Sequence, residues 1–159
     1  MHHLADSGIR NILLVEDSAA EARLTREVLR DSKMPNTLHH AKDGAVAMQF
    51  LRREGAFHDA PTPDLMILDL NLPCMDGRQV LFEMRQTPEL RLIPVVVLTT
   101  SEEECDILGS YKLSANCYIT KPPSFDEFTY VLKTIEAFWL SMVQLPTSRH
   151  RYLSDAVAG

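Results

Sequence analysis

Five short apolar runs, each followed by a stretch of helical periodicity, constrain this chain more than any other feature. The first is Asn11-Ile12-Leu13-Leu14-Val15. The third is Leu65-Met66-Ile67-Leu68, bracketed by Asp64 and Asp69. The fourth, Pro94-Val95-Val96-Val97-Leu98, is the most apolar and ends on Thr99 and Thr100. Runs this short, apolar at every position instead of at every second one, suit parallel strands buried on both faces. Thr37 to Ala41 is weaker, because His39 and His40 interrupt it, and reads as an edge strand. Ala115 to Thr120 is the fifth run and leads into Lys121-Pro122.

The intervening segments read as helices. Ser18 is a candidate N-cap with Glu21 as its capping-box partner, opening a helix to about Ser32 with Ala22, Leu24, Val28 and Leu29 inward. Met34-Pro35-Asn36 ends it. Asp43-Gly44 turns into a second helix carrying Val46, Met48, Phe50 and Leu51. A long, breaker-rich connection, Gly55 to Pro63, precedes the Asp69 strand. A third helix begins near Gly77 with Val80, Leu81 and Met84. A fourth is predicted from Ser101, with Glu102, Glu103 and Glu104 in the first turn, where the helix dipole favours acids. The last is predicted over Ser124 to Val143. Strict alternation of strand and helix, with right-handed crossovers, gives a (βα)5 unit. The fold class is α/β: a doubly wound, five-stranded parallel sheet, flavodoxin-like, in strand order 2-1-3-4-5.

The chain has 159 residues, enough for one domain with a substantial core. The expected division is a tail over 1–9, one domain over 10–145 and an extension over 146–159. A net charge of −6 argues against a DNA-binding surface, which needs clustered Lys and Arg. No apolar run has membrane-spanning length and the start lacks a signal-peptide core, so a cytoplasmic protein is expected. Cys74, Cys105 and Cys117 are odd in number and lack metal-ligand spacing, which favours free thiols.

The strand ends carry the chemistry. Glu16-Asp17, Asp69, Thr99 and Lys121 follow strands one, three, four and five. In this strand order they converge on the crevice beyond the carboxyl edge. Three carboxylates crowded together raise one another's pKa, and a hard cation such as Mg²⁺ relieves that with oxygen ligands. Lys121 adds a point charge suited to a phosphoryl oxygen, and Thr99 adds a hydroxyl donor. Taken singly, each is as well explained by structure: Glu16-Asp17 as a solvated helix start, Thr99 and Tyr118 as packing residues. Their joint placement favours a phosphoryl site on Asp69.

In Glu16-Asp17, Asp43-Gly44, Asp69-Leu-Asn-Leu-Pro-Cys-Met-Asp-Gly77, Thr99 and Lys121-Pro122 the chain resembles the receiver domains of two-component response regulators, over about residues 10 to 143. The resemblance implies that Asp69 accepts a phosphoryl group from a histidine kinase. It implies Mg²⁺ held by Asp17, Asp69 and the backbone carbonyl of Asn71, with Glu16 acting through a bound water. Thr99 and Tyr118 would be the switch pair, the ring following the hydroxyl inward, and Lys121-Pro122 would be cis. Asn116 to Lys121, Phe138-Trp139-Leu140, Leu145-Pro146 and the long second connection resemble a narrower group, the stand-alone regulators that pair with bacterial and cyanobacterial phytochrome kinases.

A signalling switch that is no turnover enzyme is therefore expected. The competing enzyme reading, a haloacid-dehalogenase-type phosphatase, needs an acid/base two residues after the nucleophile. Asn71 stands there, and an amide does not shuttle a proton. A pseudo-receiver that only binds partners is the third reading, opposed by the intact Asp17, Asp69, Thr99 and Lys121 set. Phe138, Trp139, Met142 and Val143 extend the apolar stripe of the last helix beyond what the sheet needs. They predict a homodimer through the fourth helix, fifth strand and fifth helix. Tyr152, Leu153, Ala156 and Val157 make the extension either an arm on the partner or a disordered end.

Overall fold

The computed structural model describes residues 8–146. The predicted arm, apart from Pro146, lies outside the described residues, as do residues 1–7 of the tail. Five strands, β1 (Arg10–Val15), β2 (Asn36–Ala41), β3 (Leu65–Leu68), β4 (Val95–Thr99) and β5 (Cys117–Thr120), form one sheet in the order β2-β1-β3-β4-β5. Every neighbouring pair is parallel. The helices are α1 (Ala19–Arg30), α2 (Gly44–Arg52), α3 (Gly77–Gln86), α4 (Glu104–Lys112) and α5 (Phe125–Ile135). No described helix is long and apolar enough to cross a membrane.

Successive strand residues face opposite sides of the sheet, and both sides are apolar. Leu13, Val15, Met66, Leu68, Val95 and Val97 pack against Ala47, Met48, Leu51, Val80, Leu81 and Met84 of α2 and α3. Ile12, Leu14, Leu65, Ile67, Val96 and Leu98 pack against Leu24, Val28, Phe128, Leu132 and Ile135 of α1 and α5. Each fully buried aliphatic side chain contributes about 1.5–3 kcal/mol, so the two half-cores commit the chain to this layering.

Local signals explain most element starts. Ser18, Asp43, Asp76 and Ser124 each accept a backbone N–H from the first turn of the helix they precede, satisfying donors that would otherwise be orphaned. The long second connection holds a short 3₁₀ turn, Gly55–Phe57. Phe57 sits edge-on to Phe50 with ring centroids 5.5 Å apart.

Three expectations are corrected. The fourth helix begins at Glu104, not Ser101. The Ser101 hydroxyl donates to Asp106 and accepts the Glu103 N–H, and Glu103 is still extended, which keeps the intervening residues out of the helix. Lys121-Pro122 is not cis: every described peptide bond is trans, the intrinsic preference even before proline. The last helix is not regular to Val143. Beyond Ile135 it widens over Glu136–Leu140, and Val143 N–H donates to the Phe138 carbonyl five residues back. Such a wide turn rotates the face that follows it. Leu140 is consequently buried, and Trp139 and Val143 are half-buried against the α1–α5 half-core. Phe138 and Met142 alone of the predicted four are exposed.

Candidate functional site

Strand register assembles the site. Val15 pairs with Leu68, and the Asp69 N–H donates to the Val15 carbonyl at 3.1 Å. Glu16 and Asp69 therefore leave adjacent strands side by side. The Lys121 N–H donates to the Thr99 carbonyl at 2.7 Å, which brings the end of β5 against the end of β4. Glu16, Asp69, Thr99 and Lys121 are buried, while Asp17 is exposed at the rim.

Two close backbone approaches shape the loops. A Cβ on Gly77 would lie 2.2 Å from the Asp69 carbonyl oxygen, and one on Gly44 would lie 1.9 Å from that of Met75. Only glycine lets α2 and α3 come this close to the Asp69 loop. The Asn71 N–H donates to Asp69 Oδ1 at 3.1 Å, which orients the carboxylate. Cys74, at φ 66°, occupies the left-handed region in the same loop.

Lys121 is the hub. Its Nζ donates to Glu16 Oε2 at 2.5 Å, to Glu21 Oε2 at 2.7 Å and to Asp69 Oδ2 at 2.9 Å. An ammonium has three N–H donors, so all of them are engaged. Burial alone would lower the Lys121 pKa, but the bonds to Glu16, Glu21 and Asp69 outweigh it and raise it. For Glu16 the balance is reversed. Burial lifts it from 4.5 to about 7 despite the bonds from Lys121 and the Ser18 N–H. One ammonium does not neutralise this many acids.

The donor set fits a hard cation. Glu16, Asp17 and Asp69 each offer a carboxylate oxygen, and these oxygens lie within 4.8 Å of one another. All-oxygen ligation by carboxylates suits Mg²⁺ or Mn²⁺ and not a thiophilic metal. A bound divalent ion would supply positive charge beside the Asp69 carboxylate.

Thr99 Oγ1 is the one buried side-chain polar atom among the described residues with no hydrogen-bond partner. An unsatisfied buried hydroxyl costs about 1–3 kcal/mol, and here it stands ready to donate to an oxygen entering the crevice. The Tyr118 hydroxyl donates to the Ser101 carbonyl at 2.8 Å, and its ring packs on the α2–α3 half-core. The ring that was expected to follow Thr99 inward is already in contact with the core.

Four participants escaped the sequence reading. Glu21 was expected only as a capping residue. Its N–H is indeed held by Ser18 Oγ at 3.2 Å, but its carboxylate turns to Lys121. Arg78, Ser101 and Asp106 form a second network beside the site, taken up below. Nothing in local spacing signals the Glu21–Lys121 or the Arg78–Asp106 contact, because those partners lie 100 and 28 positions apart in the chain. Of the residues that were predicted, Glu16, Asp17, Asp69 and Lys121 come together. Phe138, Trp139, Met142 and Val143 belong to a separate surface beyond α5.

A flavodoxin-like sheet with an acid trio, a buried lysine and an orphaned threonine hydroxyl at its carboxyl edge defines a receiver, a module that takes a small anionic signal at an aspartate. The chain belongs to the response regulator receiver domain family, whose profile matches residues 12–133. It is 49% identical over 137 residues to response regulator Rcp1 of Synechocystis sp., covering 86% of this chain and 93% of Rcp1. A crystal structure of the Mn²⁺-bound form of Rcp1 superposes with a TM-score of 0.85 at 48% identity, covering 87% of this chain and 99% of that one. The phosphorylated cyanobacterial phytochrome response regulator RcpA superposes with a TM-score of 0.84 at 48% identity over the same shares. The chain is thus a receiver-domain signalling protein closely related to cyanobacterial phytochrome response regulators.

Proposed function

We propose that this receiver is a Mg²⁺-dependent switch that takes a phosphoryl group on Asp69 from a histidine kinase. The observation that carries the reading is Lys121, which grips Asp69 within the acid trio while Thr99 Oγ1 stays unsatisfied. In the transfer an Asp69 oxygen attacks phosphorus and the P–N bond of the phosphohistidine breaks. The electron pair leaves on the imidazole nitrogen. Lys121, exchanging one of its carboxylate contacts, and Thr99 then donate to phosphoryl oxygens. Asp17, Asp69 and the Asn71 carbonyl would hold the metal, with Glu16 acting on it through water, and the ion would supply positive charge beside the Asp69 carboxylate. Catalysis here is charge neutralisation and positioning, and the protein promotes only its own phosphorylation and dephosphorylation.

The receiver unit spans residues 10–145 in this reading, with 1–9 as a tail and 146–159 as an extension. Likeness to Rcp1 and RcpA supports a phytochrome-type kinase as the phosphodonor. The proposed kinase partner would be met in the cytoplasm, the location expected from the sequence. Output passes to another protein through a changed surface, or the phosphoryl group moves onward. Exposed Leu108 and Tyr111 on α4, with Phe138 and Met142 after α5, support a homodimer through the α4–β5–α5 face.

The decisive experiment incubates the protein with Mg²⁺ and acetyl phosphate or beryllofluoride. Wild type is expected to gain acid-stable phosphate or a Mg²⁺-dependent beryllofluoride complex, and Asp69→Asn neither. A wild type that gains neither rejects the reading. Phosphotransfer from a phytochrome kinase should exceed that from unrelated kinases; equal rates would remove the phytochrome partner.

A further inference from the structure

The core holds α4 least of the five helices. Its buried residues are Asp106 and Ser110, both polar, and Leu108 and Tyr111 face solvent. A helix without an apolar face needs another anchor, and Arg78 supplies one from the first turn of α3. Its Nε donates to Asp106 Oδ1 and its Nη2 to Asp106 Oδ2, both at 2.6 Å. This two-pronged geometry is the most directional form of ion pair.

The pair is wired to the site on both sides. Arg78 Nη1 approaches the carbonyl of Leu70, the residue after Asp69, at 3.5 Å. Ser101 Oγ donates to Asp106 Oδ2 at 2.5 Å, and the Ser101 carbonyl accepts the Tyr118 hydroxyl at 2.8 Å. Ser101 lies two residues beyond Thr99, in the loop that follows β4. Bonds therefore run from beside the acceptor aspartate, through Arg78, Asp106 and Ser101, to the switch tyrosine.

We propose that Arg78 and Asp106 are positioning residues that hold the β4–α4 loop and Tyr118 in the arrangement that receives the phosphoryl group. The inference rests on Asp69 as the acceptor. With Tyr118 already packed inward and bonded, the bond left to make is that of Thr99 Oγ1. Without the pair, α4 has no apolar face to keep it in place and the loop leaves this arrangement. A phosphoryl mimic then binds only the competent fraction, and its apparent affinity falls by that fraction.

The test titrates the full chain with beryllofluoride in Mg²⁺, read by fluorine NMR, with thermal unfolding measured in parallel. Arg78→Gln and Asp106→Asn are each expected to weaken beryllofluoride binding by at least about fivefold. The double variant should be no weaker than the weaker single, because both changes break one contact. Folded single variants with wild-type affinity overturn the proposal, even if they unfold at lower temperature. So does a double variant whose losses simply add. Should either single fail to fold, Ser101→Ala removes the hydroxyl's bonds to Asp106 and from the Glu103 N–H and must weaken binding in the same direction; unchanged affinity there also overturns it. A wild type that binds no beryllofluoride rejects Asp69 as acceptor together with this inference. Wild-type binding with unaffected variants rejects the inference alone.

Discussion

Glu16 is a buried acid whose ionised form the proposed metal would favour. Burial pushes it up to about 7, against 4.5 ordinarily, so the folded state holds a proton there that the unfolded chain has released. Stability from this group is complete below pH 4.5 and is lost as pH rises through about 7. The metal-free protein should lose on the order of 3 kcal/mol across that window, and Mg²⁺ should restore it by favouring the ionised form. Urea unfolding at pH 5 and pH 8, with and without Mg²⁺, checks this. A loss that persists in Glu16→Gln would assign the effect elsewhere. Gly77 makes a second residue-scale case. The methyl of Gly77→Ala would press on the Asp69 carbonyl, 2.2 Å away. Relief by backbone shift costs roughly 1–3 kcal/mol and displaces Asp69. Denaturant unfolding and Mg²⁺ titration should therefore fall together, and unchanged Mg²⁺ affinity would separate the loop from the site.

At the level of elements, α4 and the end of α5 depart from what periodicity predicts. α3 carries Val80, Leu81 and Met84 inward, as its spacing requires. α4 buries only Asp106 and Ser110, so an ion pair stands in for packing. Burial of apolar surface is what makes opening costly. Amide exchange is therefore expected to be faster in α4 than in α3 or α5; equal protection would mean that the Arg78–Asp106 pair holds α4 as firmly as a core does. The end of α5 was misread for a different reason. A regular helix to Val143 puts Phe138, Trp139, Met142 and Val143 on one outer stripe. The wide turn over Glu136–Leu140 shifts the phase, which turns Trp139 in and leaves Phe138 out. Their rings meet edge to face, centroids 5.6 Å apart. Hydropathy spacing carries no signal for a single widened turn.

On the scale of the whole molecule, the sheet sends its acids to one edge, while Leu108 and Tyr111 on α4 and Phe138 and Met142 after α5 stay exposed. The proposed dimer would bury these side chains, with the edge strand β5, against a second copy. Light scattering at micromolar concentration is expected to give a dimer for the wild type. Leu108→Asp combined with Phe138→Asp is expected to give a monomer with unchanged circular dichroism, because a carboxylate buried at such a contact has no partner. A wild type that is monomeric throughout would remove the face as a self-interface.

Order along the chain and the chemistry of strand ends were legible without coordinates. The first, third and fourth apolar runs demand a parallel sheet covered on both sides, since that layering buries both faces of a strand, and the two edge strands are only partly buried. Right-handed crossovers then bring Glu16, Asp17, Asp69, Thr99 and Lys121 to one edge. The tertiary structure alone decided the contacts that cross the chain without a pattern. Lys121 is tied to Glu21 across 100 positions and Arg78 to Asp106 across 28. Periodicity says which face a residue takes, but not which distant polar group meets it there. That choice follows from how the helices dock and where a charge must find its partner once water has been excluded.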